Sequence, residues 1–403
     1  MKYTKQEVLQ FVEEEDVKFI RLAFCDVFGK LKNISIMPTE LHRAFDYGIA
    51  IDGWSIPGFN NNVHSDLLLH PDPSTLTILP WRPEHGRVIR MFCDISWPDG
   101  STFQCDTRQL LKKAISYAES KGYSFQFGPE MEFYLFNLDE NGNPTSETYD
   151  KAGYMDVSPD DKGENVRREI CLTLEQMGIY PESSHHEEGP GQNEIDFRYS
   201  DPLSSADNAS TFSLVVKTIA NRNGLYADFN PKPIENGPGN GMHINFSLKG
   251  NNEDELYSAI SGILHHISDI TLFLNPIADS YKRLGQNKAP GYISWSTENR
   301  SQLIRIPAAL GSYKRAELRS PDPTINPYIA YALLIYAGVD GLENNYELPP
   351  AADINLFTAS KDVLNNYEHL PRTLEEAKEK ASNSAFIKKY IPTELIDAYY
   401  KNN

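Results

Sequence analysis

The ten residues FGPEMEFYLF, at positions 127–136, constrain the fold of this chain more than any other stretch. Polar and apolar residues alternate among aromatic neighbours, and this period of two predicts a β-strand. Glu130 and Glu132 then share one face with Tyr134, and the apolar residues between them share the other. In an antiparallel sheet the polar face is either an ordinary solvated face or part of a site, and this stretch alone leaves both open.

Further stretches repeat the pattern with an unusual choice of polar residues. They are GQNEIDFRYS (191–200), GMHINFSL (241–248), KRAELRS (314–320) and NRSQLIRIP (299–307). Their polar positions hold Glu194, Asp196 and Arg198, then His243 and Asn245, then Arg315, Glu317 and Arg319, and finally Arg300 and Arg305. A solvated face usually carries Lys, Thr, Ser and Glu, so the preference for Glu, His, Asn and Arg indicates a site.

If these strands are neighbours, their acids cannot stand together unaided, because like charges at close range repel. The cluster would contain Glu130, Glu132, Glu187, Glu194, Glu317 and His243. Oxygen-rich sites suit Mg²⁺ or Mn²⁺, so we expect two or more divalent ions there. The arginines suit carboxylate and phosphate groups. Together these residues predict phosphoryl transfer to or near a carboxylate, although the chain has no GxxxxGK phosphate-binding loop.

The chain is long for a single core, and its residue pattern changes near Asp106. With 403 residues, two domains are expected: a small β-rich domain over 1–105, and a larger α+β domain over 106–403 that opens with the capped helix DTRQLLKKAISYAESKG. The net charge of -18 argues against nucleic acid and anionic lipid as partners. The N-terminus has no apolar signal core, so we expect a cytoplasmic protein. The four cysteines form no CxxC motif.

The order of these motifs resembles that of the bacterial type I glutamine synthetases along almost the whole chain. The shared stretches are IDGWSI, GPEMEF, AGYMD, SHHEEGPGQNEIDFRY, NGMHINFSL, YKRL, NRSQLIRIP and RAELRSPDPTINPY. The resemblance implies a β-grasp-like N-terminal domain and a catalytic domain with an antiparallel curved sheet flanked by helices. It also implies an ATP-dependent glutamate–ammonia ligase that works through γ-glutamyl phosphate, with ATP, glutamate and ammonia as partners.

The resemblance assigns roles to residues by motif. It implies that Glu132, Glu187 and Glu194 bind a first metal ion, and that Glu130, His243 and Glu317 bind a second. Arg283, Arg319 and Gly239 would bind glutamate, with Arg300 at the transferred phosphoryl group and Arg315 and Arg305 at the nucleotide. Asp52 resembles the family's ammonium-side aspartate, which reaches the site of a neighbouring subunit, so a ring-shaped homo-oligomer, a dodecamer, is expected. His185 is interpreted as an ordinary polar loop residue.

Three departures from the family pattern affect the predicted chemistry. Pro238 and Gly239 replace an asparagine–glycine pair, Ser312 replaces a lysine near the nucleotide, and Lys288 stands where the family has the glutamate of its flap. If Lys288 enters the site, its charge opposes an incoming ammonium ion. If it pairs with a surface acid, it has no such effect. A ligase that uses a primary amine or polyamine is therefore an alternative function, and a non-catalytic regulatory homologue is a third.

Overall fold

The computed structural model describes residues 3–59, 65–82, 85–250, 252–297, 299–308 and 314–401. Among these residues, no helix combines the length and the apolar character that a membrane-spanning helix needs. Two sheets organise the chain, one in its N-terminal part and one in the remainder. The architecture is the α+β arrangement expected from the sequence.

The first sheet has six strands and is accompanied by two helices. Its strands are β1 (Val17–Cys25), β2 (Leu31–Ile36), β3 (Ile49–Asp52), β4 (Asp66–Pro71), β5 (Thr77–Ile78) and β6 (Arg87–Ser96), with helices α1 (Lys5–Glu14) and α2 (Leu41–Tyr47). The order is β2-β1-β6-β4-β3, with β5 also paired to β6. Strands β1 and β6 run parallel, and β1 and β2 form a hairpin, whose turn contains Gly29 at a φ of +79°. This is the expected β-grasp domain.

The second sheet has nine strands and carries the polar faces identified in the sequence. They are β7 (Phe125–Leu138), β8 (Pro144–Thr148), β9 (Pro181–His186), β10 (Gln192–Phe197), β11 (Leu225–Asp228), β12 (Met242–Leu248), β13 (Trp295–Thr297), β14 (Ile304–Ile306) and β15 (Ala316–Leu318). Their order is β13-β14-β15-β12-β7-β10-β9, and β8 and β11 also pair with β7. The pairs are antiparallel except for β13 with β14, which run parallel.

Ten described helices accompany this sheet. They are α3 (Thr107–Ser120), α4 (Glu164–Gln176), α5 (Pro202–Arg222), α6 (Glu253–Leu274), α7 (Ala278–Arg283), α8 (Pro327–Asn344), α9 (Lys361–Leu364), α10 (Leu374–Asn383), α11 (Ala385–Tyr390) and α12 (Thr393–Lys401). Phe127 of β7 stacks on Tyr331 of α8 with ring centroids 4.4 Å apart, and Phe133 packs against Phe212 of α5. The alternation of β7 therefore places Phe127 and Phe133 in the core and its glutamates on the opposite face.

A buried arginine links the first sheet to the helices of the second. Arg108 of α3 donates hydrogen bonds to Asp94 Oδ1 and Asp72 Oδ2, both at 2.9 Å, and to the two carboxylate oxygens of Asp207 at 3.1 and 3.0 Å. Its side chain is only 5% exposed. Because Asp72 and Asp94 belong to the first sheet region and Asp207 to α5, this one guanidinium ties the two parts of the chain together.

Candidate active site

A cavity of about 630 Å³ opens on the polar face of the second sheet. We call it the large cavity. Twelve of the residues singled out in the sequence line it: Glu130, Glu132, Glu187, Glu194, Gly239, His243, Arg283, Lys288, Arg300, Arg305, Arg315 and Arg319. Glu317 lies directly behind its wall, in contact with Arg305 and Arg319. The structure therefore brings these residues together from strands and loops that are far apart in sequence.

One acidic group lies where β7, β12 and β15 run side by side. Glu130 is paired with His243 across β7 and β12, and Glu317 is paired with Asn245 across β15 and β12. His243 Nδ1 lies 3.3 Å from Glu130 Oε2 and 3.5 Å from Glu317 Oε1. Each of the three residues offers a ligand atom within 4.8 Å of the others. This group is the set that the sequence assigned to the second metal ion.

Asn245 holds this group in place. Its Nδ2 donates a hydrogen bond of 2.7 Å to Glu130 Oε1, and its Oδ1 accepts one of 2.8 Å from Arg315 Nε. One amide thus fixes both a carboxylate expected at a metal ion and an arginine expected at the nucleotide. Arg315, in turn, is held at the edge of the large cavity.

A second group lies on β9 and β10, and it includes a histidine that the sequence analysis misjudged. His185 Nδ1 lies 3.7 Å from Glu187 Oε1, and His185 Nε2 lies 3.9 Å from Glu194 Oε1. His185 belongs to strand β9 and lines the large cavity, so its interpretation as an ordinary loop residue is wrong. The sequence pattern around His185 gives little indication of this position, because the ring of His185 reaches the site only through the pairing of His185 with Glu194 across the two strands.

Glu132 stands beside this second group and is fixed by the backbone of the next strand. Its Oε2 accepts a hydrogen bond of 2.6 Å from Gly241 N, and its own backbone N donates to Gly241 O at 3.1 Å. Burial, followed by the nearby charge of Glu187, raises the pKa of Glu132 to about 8. A buried carboxylate with such neighbours needs a cation to stay ionised.

A third group adds a residue to which the sequence analysis gave no role. Glu130, Glu194 and Asp196 also offer ligand atoms within 4.8 Å of one another. Burial and the charge of Glu130 raise the pKa of Asp196 to about 7, and its Oδ1 is buried without a hydrogen-bond partner among the described residues. Asp196 shares the face of Glu194 on β10, which was visible in the sequence.

These donors fit divalent metal ions. Carboxylate oxygens dominate the three groups, as Mg²⁺ and Mn²⁺ require. Burial, with the charge of Arg319 nearby, lowers the pKa of His243 well below its usual range, so its imidazole is neutral and able to bind a metal. The orphaned Oδ1 of Asp196 is a further acceptor for a cation.

A fourth group of acids and histidine is closed by internal hydrogen bonds. Asp150 Oδ1 is 2.9 Å from both His186 Nε2 and Gly191 N, and Asp161 accepts two hydrogen bonds from Arg167. His186 is fully buried, and its Nδ1 contacts the carbonyl oxygen of Glu187 at 2.7 Å. This network supports the strand end that carries Glu187 and has no need of an ion.

The arginines line the same cavity beside the acidic residues, and several are held in fixed orientations. Glu317 contacts Arg305 Nε at 2.8 Å through Oε2 and Arg319 Nη1 at 2.5 Å through Oε1. Arg283 donates to the carbonyl oxygens of Ser320 at 2.7 Å and Arg319 at 3.2 Å. Guanidinium groups oriented by such contacts are suited to bind the carboxylate and phosphate oxygens of a substrate.

The loop around Pro238 and Gly239 is well anchored despite its departure from the family pattern. Tyr134 donates its hydroxyl to Pro238 O at 2.7 Å, and Gln192 Nε2 donates to Gly239 O at 3.0 Å. A Cβ on Gly239 would lie 2.4 Å from Pro231 O and 2.9 Å from the Cγ of Arg283. Only glycine, which has no Cβ, allows the backbone at position 239 to lie this close to Pro231 and Arg283.

The sequence left two alternatives for Lys288, the lysine of the flap: it enters the site, or it pairs with a surface acid. The structure supports part of each. Lys288 lines the large cavity, and its ammonium group forms an ion pair with Glu188. Glu188 also lines the cavity, so the acid is not a remote surface residue. Sequence reasoning assigned no role to Glu188, whose partner is a hundred residues away.

One expected residue of the described part of the chain is not brought into the cavity. Asp52, at the end of β3, does not line it, and its carboxylate accepts hydrogen bonds from Trp54 N at 3.0 Å and Ser55 Oγ at 2.8 Å. Ser312 lies outside the described residues.

Comparison with known proteins agrees with this geometry. Residues 16–98 match the family model "Glutamine synthetase, beta-Grasp domain", and residues 104–403 match "Glutamine synthetase, catalytic domain". The chain belongs to the glutamine synthetase family. Enzymes of this family are ATP-dependent ligases of glutamine biosynthesis, and the chain carries their catalytic domain.

Curated glutamine synthetases resemble the chain over nearly its full length. The enzyme of Clostridium saccharobutylicum is 46% identical over 99% of this chain and 94% of its own, and that of Methanosarcina mazei is 45% identical over 98% and 92%. A solved GmaS/ADP complex is 27% identical, with a TM-score of 0.88 over 98% of this chain and 94% of its own. The Plasmodium falciparum glutamine synthetase, 22% identical with a TM-score of 0.86 over 100% and 96%, shares the fold.

Proposed function

We propose that this chain joins ammonia to the γ-carboxylate of glutamate at the expense of ATP, through γ-glutamyl phosphate. The observation that supports it most is the large cavity itself, which brings three acidic groups together with five arginines. Chemistry that passes a phosphoryl group to a carboxylate needs both kinds of group: acids that hold cations to screen the phosphates, and guanidinium groups to hold the carboxylate oxygens. The family relatives that cover the whole chain point the same way.

The proposal divides the arginines by their position. Arg283 and Arg319, beside the narrow loop at Gly239, bind the glutamate. Arg300, exposed on the cavity wall, meets the transferred phosphoryl group, while Arg315 and Arg305 face the nucleotide phosphates. Each guanidinium group binds carboxylate or phosphate oxygen atoms, and together they hold the glutamate and the nucleotide in position for phosphoryl transfer.

The acidic groups hold two or three Mg²⁺ or Mn²⁺ ions in this proposal. Glu132, Glu187 and Glu194 serve the first ion, with His185 beside them, and Glu130, His243 and Glu317 serve the second. Bound divalent ions would screen the charge of the phosphates during transfer. The chain's own part is to present ionised carboxylates and a neutral imidazole in fixed positions.

A second, smaller cavity of about 270 Å³ adjoins the large one and is the proposed site of the nucleoside. Glu130, Ser183, Asp196 and Arg315 line both cavities, so a ligand in one can extend into the other. Three aromatic residues line the small cavity, Phe197, Tyr199 and Phe246, and Tyr199, the exposed one, can contact a base. The similarity to a GmaS/ADP complex supports this assignment.

The ammonium side of the site is proposed to come from a neighbouring subunit in a ring-shaped dodecamer. Asp52 lies outside the cavity of its own chain, beside Trp54, which is 62% exposed. We expect Asp52→Asn and Glu317→Gln, each nearly inactive alone, to recover activity when co-expressed, because mixed assemblies contain some intact sites. A monomer that turns over at micromolar concentration would contradict the shared site.

The decisive experiment measures phosphate release from ATP by the purified protein with glutamate and a panel of acceptors. The panel contains ammonium, hydroxylamine, short primary amines and diamines, and mass spectrometry identifies the product. The proposal is supported if ammonium has the highest kcat/KM of the panel and its product is glutamine. No glutamate-dependent phosphate release with any acceptor and either metal would contradict it.

A ligase for a larger amine is the second candidate, and Lys288 on the cavity wall is the observation that favours it. The same panel separates the two, because a primary amine or polyamine would then exceed ammonia in kcat/KM. A non-catalytic role is not supported, since the chain has the catalytic domain and keeps every predicted metal ligand.

A further inference from the structure

An ion pair closes one side of the large cavity. The ammonium group of Lys288 contacts Glu188 Oε1 and lies 5.8 Å from the centre of the Tyr154 ring. All three side chains line the cavity. The pair joins the flap to the loop that follows β9, and it stands on the route between the cavity and solvent, since the two side chains are 55% and 33% exposed.

The backbone holds Lys288 at an unusual position. Asn287 and Lys288 have φ values of +42° and +68°, and Ala289 N donates to Gln286 O at 2.9 Å. Two successive residues with positive φ inside such a hydrogen bond form a type I′ turn, whose second central position strongly favours glycine. Lys288 places a long side chain at this strained backbone position and in the lining of the large cavity, which points to a functional role. Asn287 anchors the turn through a bond of 2.8 Å from Nδ2 to Gly237 O.

Glu188 stands between the flap and the acidic groups. Its backbone N donates a hydrogen bond of 3.0 Å to Glu187 Oε2, while its own carboxylate turns away to Lys288. The side chain of Glu188 is therefore not one of the close acidic groups among the described residues. Its charge faces the flap.

We propose that Glu188 is a specificity-determining residue that neutralises Lys288, so that the cavity can admit a cationic amine acceptor. This inference rests on the proposed function and adds the charge of the acceptor to it. An unpaired lysine on the cavity wall opposes an incoming ammonium ion, whereas a lysine paired with a carboxylate presents almost no net charge to it. A neutral acceptor is indifferent to both states.

The test compares ammonium with hydroxylamine, which is uncharged at neutral pH, in wild type, Glu188→Gln, Lys288→Met and the double variant. Glu188→Gln should raise the KM for ammonium about two- to fivefold, the size expected for an exposed charge pair, and leave the KM for hydroxylamine unchanged. Lys288→Met should lower the KM for ammonium or leave it as it is. The double variant should return towards wild type, and added salt should shrink all these differences.

The outcomes separate this inference from the proposed function. If Glu188→Gln raises the KM for both acceptors alike, or if the second substitution fails to rescue it, the pair only positions the flap and the inference is overturned. Thermal unfolding of each variant identifies any that have lost stability. A wild type that uses neither acceptor would contradict the proposed function as well.

Discussion

Replacing Glu317 by glutamine should disable the site while almost preserving its shape. The side chain is 1% exposed and contacts Arg319 at 2.5 Å, Arg305 at 2.8 Å and His243 at 3.5 Å. The amide occupies the same volume but carries no charge. It therefore leaves two buried arginines without their common counter-ion and removes one carboxylate from the proposed second metal site.

The magnitude follows from the burial of these contacts. Removing one partner of a buried ion pair typically costs about 3–5 kcal/mol, because the remaining charge stays uncompensated. This cost falls on the folded state and should appear in thermal unfolding, whereas the loss of one carboxylate from the proposed metal site should lower kcat/KM by at least about 10- to 100-fold.

The assay is ADP release with glutamate and hydroxylamine, measured over a wide range of Mn²⁺ concentrations. Glu343→Gln is the matched control, since Glu343 forms a similar pair with Lys121 at 2.6 Å but lies far from the cavity lining and is 35% exposed. We expect the control to keep wild-type activity. If Glu317→Gln retained more than about a tenth of wild-type activity at saturating Mn²⁺, the role of Glu317 at the proposed second metal site would be refuted.

Further predictions concern the substrate loop and the link between the two sheets. Gly239→Ala should raise the KM for glutamate by roughly 5- to 100-fold, because overpacking costs about 1–3 kcal/mol, and an unchanged KM would show that the loop can yield. Arg108→Met should lower the free energy of unfolding, measured by calorimetry, by about 3–5 kcal/mol. As a control, Arg43→Met, which replaces an exposed arginine, should lower it by less than about 0.5 kcal/mol. Burial raises the pKa of Asp72, but the charges of Arg108 and Lys112 and the hydrogen bonds from Ser74 and Arg108 together outweigh burial, and the pKa is lowered overall. The stabilisation by Asp72 is thus complete above the ordinary aspartate range, near pH 4, and is lost as the pH falls through its folded pKa. Thermal unfolding between about pH 6 and pH 3 should therefore depend less on pH in Asp72→Asn.

The parts of this fold that were predictable from sequence are those that local patterns specify. The helix after Asp106 begins where its carboxylate caps Arg108 N and Gln109 N, and the helix at Pro327 begins with Asn326 as its cap. Alternation placed β7, β10 and β12 correctly, with their polar residues on one face. These signals depend only on near neighbours in the chain.

The missed features depend on pairing between distant segments. His185 enters the site because β9 pairs with β10, and Glu188 acquires its role from a flap a hundred residues later. No local pattern encodes either contact. The parallel pairing of β13 with β14 was missed for the same reason, because each strand has only three residues.

The register of β7 ties the site to the core. On this strand Glu130 and Glu132 face the cavity, while Met131 and Phe133 are almost fully buried on the other side. A slip of one residue would exchange the two faces, driving both carboxylates into the apolar core and both hydrophobic side chains into the cavity. Misregistered chains are therefore penalised twice, and a molecule that folds at all folds with its cavity-facing carboxylates already in place. Selection for a stable core and selection for catalysis act here on the same strand alignment.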